Sequence, residues 1–148
     1  MTQKDKELLL KDLCSRLPYG VKFEHTDKHT LCEILSITPI YDYGNVIYFD
    51  DAINHPKKCS IDDVKPYLFP LSSMTRKQRE EFVKFADYEP RLEDCGKHQE
   101  LYYYDLVGHE NNLYPNSDAI DWLDKNHFDY RGLIPKGLAN DCTNLNIY

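Results

Sequence analysis

His127, Phe128, Asp129, Tyr130 and Arg131 place an imidazole, a carboxylate, a phenol and a guanidinium within five consecutive residues. Such groups can do general acid–base work when they converge on a substrate. Consecutive residues point in different directions, however, and catalytic groups have to meet in space before their chemistry counts. His127, Asp129 and Arg131 are therefore candidate catalytic residues set against a plainer reading. In that reading His127 caps carbonyls at a helix end, Phe128 joins the core, and Arg131 pairs with Asp129 or a terminal carboxylate. The chain holds no G-x-S-x-G, H-E-x-x-H or Cys-centred protease signature for these groups to join, which favours the plainer reading over an enzyme.

Metal chemistry has one candidate set. His25-x3-His29-x2-Cys32, with His55-x3-Cys59 further on, has ligand types that zinc accepts. If Asp27 and Lys28 form a hairpin tip, Phe23 pairs with Cys32 and His25 with Thr30. Cys32 then shares a face with Val21, Phe23 and Ile34, where a free cysteine is a small buried hydrophobe. No C-x2-C pair supports a metal site, and no cofactor is expected. Gly132-Leu-Ile-Pro-Lys-Gly137 offers G-x4-G, but Leu138 and Ala139 follow where a phosphate loop needs Lys and Ser or Thr. Its glycines read as releases for tight turns.

Twelve tyrosines in one chain supply rigid apolar area with polar tips, the composition of binding surfaces. Tyr102, Tyr103, Tyr104, Trp122 and Tyr130 are the candidate binding residues. Stacking on bases would want interleaved cations. Tyr102 to Tyr104 sit instead between Glu100 and Asp105.

These residues need elements to position them. Leu9, Leu13 and Leu17, with Leu10 and Cys14, give an apolar helical face over Lys4 to Leu17, stopped by Pro18-Tyr19-Gly20. Val21 to His25, Leu31 to Ile37 and Val46 to Asp50 read as strands. Ile61 to Val64 reads as a helical turn, and Pro66 and Pro70 bracket a short edge strand. This order predicts an α+β protein in which a leading helix and a small SH3-like or Sm-like antiparallel barrel fill residues 1–74. A mostly helical part with a packed tail is expected over 75–148, the two forming one compact unit. There Thr75 to Gln78 forms a capping box for a helix carrying Phe82 and Phe85. Glu89 to Lys97 is the best internal boundary. Ser117 caps a further helix over Asp118 to Asn126. Arg131 to Ala139 reads as turns that pin apolar side chains onto the body.

The 148 residues suit a domain that folds without metal or disulfide. With 25 acidic and 18 basic residues the net charge is −7, which argues against nucleic acid as a partner. A nucleic-acid-associated regulator would need a local basic face, to which Lys11, Arg16, Lys22, Lys57, Lys58 and Lys65 could contribute. No apolar stretch approaches a membrane span, and the opening residues lack an export signal. Five widely spaced cysteines then read as reduced thiols, and the expected compartment is the cytoplasm.

Three stretches carry a resemblance. They are Leu13-Cys-Ser-Arg-Leu-Pro-Tyr-Gly-Val-Lys22, Ile61 through Thr75 (Ile-Asp-Asp-Val-Lys-Pro-Tyr-Leu-Phe-Pro-Leu-Ser-Ser-Met-Thr), and Asp121 through Ala139, followed by Thr143 to Tyr148. Together they resemble a family of small hypothetical proteins of gut Bacteroidetes and their prophages or mobile elements. That family brings no activity, cofactor or active site, so no residue role is carried over. The resemblance implies an intracellular accessory gene product. The expected function is non-catalytic protein interaction, with a nucleic-acid regulator or an enzyme centred on His127 and Asp129 as alternatives.

Overall fold

The computed structural model describes residues 1–25, 30–40, 44–50, 57–82, 84–85 and 117–148. Their contacts group into two compact units. One joins Met1–Leu68 to Arg131–Tyr148, and the other is Phe69–Tyr130.

The first unit opens with helix α1, Gln3–Arg16. Thr2 caps it: its hydroxyl accepts from the Asp5 N–H while the Asp5 carboxylate accepts from the Thr2 N–H. The buried stripe is Leu9, Asp12, Leu13 and Arg16, at the i, i+3, i+4, i+7 spacing of one helical face. Cys14, expected beside that face, is exposed. A 3-10 turn, Leu17–Tyr19, and Gly20 at φ 75° end the helix as Pro18-Tyr19-Gly20 predicts.

Six strands follow: β1 Lys22–His25, β2 Thr30–Ile40, β3 Gly44–Asp50, β4 Lys57–Ser60, β5 Val64–Leu68 and β6 Asn140–Asp141. They form one sheet in the order β4-β3-β2-β1-β5-β6. Every pairing is antiparallel except β5 with β6. The expected SH3-like or Sm-like barrel is therefore wrong. The sheet is open and mixed, with β4 and β6 at opposite ends. Closing a barrel needs consistent tilt and stagger around the whole ring. Here β5 takes a two-residue parallel partner from the far end of the chain instead of leading back to β4.

The hairpin register matches the sequence reading: Phe23 pairs with Cys32 and His25 with Thr30. Between β2 and β3 the register shifts, with Ile34 opposite Phe49 and Ser36 opposite Tyr48. Leu35 is the extra residue of a β-bulge. A regular strand would turn Ile34 and Ile37 to opposite faces, because side chains alternate with period two. The bulge resets that alternation, so Ile34 and Ile37 both pack on the core and Leu35 is left exposed.

The core lies on one side of this sheet. Leu9 and Leu13 of α1 pack with Phe23, Ile34, Ile47, Phe49, Val64 and Leu68, joined by Leu133, Leu138 and Ala139 from the returning chain. That return was expected as a set of pinning turns, and its Gly132 and Gly137 adopt φ 69° and 70°. Only glycine takes this left-handed conformation without strain.

The second unit contains α2, Arg76–Phe82, and α3, Ser117–Lys125. Thr75 and Gln78 form the expected capping box, with Thr75 N–H to Gln78 Oε1 at 2.9 Å and Gln78 N–H to Thr75 Oγ1 at 3.3 Å. Helix α3 ends in a Schellman motif: the His127 N–H bonds the Asp124 carbonyl and the Phe128 N–H bonds the Leu123 carbonyl. The mostly helical second half is also corrected. Among the described residues, 126–148 form turns and the sheet strand β6. No helix among the described residues is long and apolar enough to cross a membrane.

Candidate functional site

Among the described residues of the first unit, one cluster of charge is centred on a wholly buried pair. Asp12 and Arg16 both have 0% exposure. The Arg16 guanidinium grips the carboxylate with two bonds, Nε to Oδ2 at 2.9 Å and Nη2 to Oδ1 at 3.0 Å. Arg131 Nη1 adds a third to Oδ1 at 2.8 Å and also donates to Ser15 Oγ at 3.0 Å. Ser15 in turn donates to the Asp12 carbonyl. Bidentate pairing is the strong form of this interaction. Arg16 and Arg131 both donate to one buried carboxylate, so the cluster acts as a structural tie between α1 and the returning chain. The sequence reading missed Asp12 and placed Arg16 among possible nucleic-acid contacts. The available signal was phase: Asp12 and Arg16 are four apart and lie on the same stripe as Leu9 and Leu13.

The other predicted residues fall as follows. Arg131 belongs to the first unit and binds Asp12, whereas His127 and Asp129 are buried in the second. His127 does sit at a helix end, in the left-handed conformation with φ 57°. Its carbonyl accepts from the Phe69 N–H, and the Asp129 N–H donates to the Phe69 carbonyl, so this segment is stitched to residue 69. Trp122 and Tyr130 are buried in the second unit's core. Trp122 stacks on Phe128 with centroids 5.7 Å apart and planes within 9°, and it meets Phe82 at 5.4 Å. The Tyr130 hydroxyl donates to Asp124 Oδ2 at 3.2 Å. Tyr102, Tyr103 and Tyr104 lie outside the described residues.

His25 points into the first core against Phe49, with centroids 5.4 Å apart. Cys32 is buried there, and Cys59 is half-buried on β4. His29 and His55 lie outside the described residues. Among the described residues no three His, Cys, Asp or Glu side chains come together to hold a metal ion. Cys59 and Cys142 are also poor nucleophiles. Burial pushes Cys59 up to about 12, with Asp63 and Cys32 adding to it, and burial with Asp141 pushes Cys142 up to about 12. Both stay protonated at neutral pH, whereas nucleophilic chemistry needs the thiolate.

The basic residues do not form one face. Arg16 is buried, and Lys22 Nζ is bonded to the Ile147 carbonyl at 2.7 Å. Lys58 of β4 and Lys65 of β5 both point away from the core, but four strand spacings separate them, roughly 19 Å. Glu24, Glu33 and Asp50 lie on the strands between.

That outer face carries the most conspicuous apolar exposure. Leu31 and Leu35, both on β2, are 49% and 48% exposed. Half-buried Val46 and Tyr48 flank them on β3. Comparison of the chain with protein-family models, curated proteins and solved structures finds no match.

Proposed function

We propose that this chain is a non-catalytic accessory protein that binds another protein through the outer face of its sheet, in keeping with the resemblance to proteins of phages and mobile elements. The observation that carries the reading is the exposure of Leu31 and Leu35 on an interior strand. Strand β2 lies between β1 and β3, paired with β1 over Thr30–Glu33 and with β3 over Glu33–Ile40, so what it offers outward is chiefly side chains. Here those side chains are two leucines with Tyr48 across from the bulge. Large aliphatic and aromatic groups ringed by charge match the make-up of an interface centre with its polar rim. Asp50 and Lys58 supply that rim, and Glu33 lies between the two leucines.

Other chemistry finds less support. The buried ion cluster is turned inward, Cys59 and Cys142 stay protonated, and the cations are dispersed among acids. A compartment of reduced thiols, the cytoplasm, is the setting this reading assumes.

Affinity capture with the wild type and with a Leu31→Glu, Leu35→Glu variant tests it. The wild type is expected to retain a reproducible protein partner that the variant loses, with circular dichroism unchanged. Retention of the same partner by the variant would place binding elsewhere and sink the proposal.

A further inference from the structure

Strand β5 has an incomplete far side. It pairs with β1 from Val64 to Pro66, and among the described residues its other edge meets β6 alone, at Tyr67 and Leu68. The next rung of the β1–β5 ladder would join Lys22 to Tyr67. That rung is filled by a side chain from elsewhere: the Tyr148 hydroxyl accepts from the Lys22 N–H at 3.1 Å and donates to the Tyr67 carbonyl at 3.0 Å. Lys22 Nζ bonds the Ile147 carbonyl and lies 5.7 Å from the Tyr148 ring centre. At the other end of the segment, Asn140 Nδ2 donates to Glu24 Oε2 at 3.0 Å. Two neighbouring outward positions of β1, Lys22 and Glu24, thus hold both ends of one nine-residue segment against β5.

Next to Asn140 the segment is held by the two-residue β5–β6 pairing and by buried Cys142, and beyond Cys142 it is more exposed. The Cys142 N–H bonds the Leu68 carbonyl, while Thr143, Asn144, Leu145 and Asn146 are exposed. Tyr148 is itself 40% exposed, although its hydroxyl is tucked into the fork. Segments with few buried contacts open locally at lower free energy than the body they rest on.

We infer that residues 140–148 form a two-point strap, latched by the Tyr148 hydroxyl, that opens as a unit and uncovers the edge of β5 while the rest of the sheet stays folded. A strand edge uncovered in this way presents free N–H and C=O groups to another chain. The strap is therefore a built-in switch between a covered and an available edge.

Cys142 is a natural probe of the opening. It is fully buried under the closed strap and held protonated there, whereas Cys32 lies in the core behind the sheet. Alkylation of the native protein, resolved by site with mass spectrometry, compares the two. Cys142 is expected to label faster than Cys32. Tyr148→Phe is expected to speed Cys142 by about fivefold or more, the low end of the net worth of its two hydrogen bonds, with Cys32 unchanged. Asn140→Ala is expected to act in the same direction at the opposite end. The inference is overturned if the two cysteines label at one common rate in the wild type, if Tyr148→Phe leaves Cys142 unaltered, or if it accelerates both equally.

Discussion

The two units solve the same burial problem with different chemistry. The first encloses an aliphatic core around a charged tie, in which Arg131 reaches Asp12 across 119 positions of sequence. The second stacks Trp122, Phe128 and Phe82, and its His127-to-Phe128 turn follows directly from α3. Removing a carboxylate and two guanidinia from water is costly, and pairing can offset that only when geometry is good. What such a tie adds is specificity of arrangement: Arg131 fits in one place because one buried carboxylate awaits it. An aromatic stack is more tolerant, since neighbouring hydrophobic side chains of similar volume can replace one another. The difference teaches that the first unit depends on a long-range match and the second on local motifs.

The sharpest way to break this contrast is to remove the shared carboxylate. Asp12→Ala leaves two buried guanidinia without it and is expected to cost about 3–5 kcal/mol in denaturant unfolding. The triple variant Asp12→Leu, Arg16→Met, Arg131→Met is expected to recover most of that loss. If it does not, the cluster contributes stability beyond mutual neutralisation. In the second unit the matching change, Phe128→Leu, keeps the site apolar and is expected to cost about 1.5 kcal/mol or less. A loss as large as that of Asp12→Ala would erase the distinction between the units.

A smaller effect of opposite sign is expected at His127. A side chain at φ 57° carries strain that glycine lacks, so His127→Gly is expected to raise stability by about 1 kcal/mol. A fall would show that the buried imidazole contributes more than its backbone costs.

The smallest effect concerns acid. Asp62 is held below its ordinary 3.8, first by its hydrogen bond from Lys6. A depressed carboxylate stabilises the fold above its unfolded pKa, and that contribution fades as pH falls through the folded value. The pair is well exposed, so Asp62→Asn is expected to remove only about 0.2–0.5 kcal/mol at neutral pH and to leave acid-unfolded stability unchanged. Denaturant melts at pH 7 and pH 3 check this.

Much of the local structure was legible in the residues. Placing the hairpin tip at Asp27 and Lys28 set the β1–β2 register down to the Phe23–Cys32 pair, and it puts Cys32 on the apolar face of Val21, Phe23 and Ile34. Thr75 and Gln78 announced a helix start, and Gly132 and Gly137 announced turns. The sheet's closure was not legible. Whether β5 returns to β4 or accepts Asn140–Asp141 depends on contacts some seventy residues apart, which no local pattern encodes. The bulge at Leu35 was hidden for a related reason. It shows only when Ile34 and Ile37 are both required to face inward. Of the candidate sites, Cys32 as a core residue was readable from pairing. The bond from Arg131 to Asp12 was not readable, because Asp12 lies in the first helix, 119 positions away.

The outer face of the sheet, centred on Leu31 and Leu35, is the surface we propose receives a protein. A photo-cross-linking residue placed at position 35 tests it most directly, with the same residue at exposed Lys11 of α1 as the reference. The account predicts one dominant protein adduct from position 35 and none of that identity from position 11. Equal adducts from both positions, or none from position 35 when position 11 yields one, would contradict it.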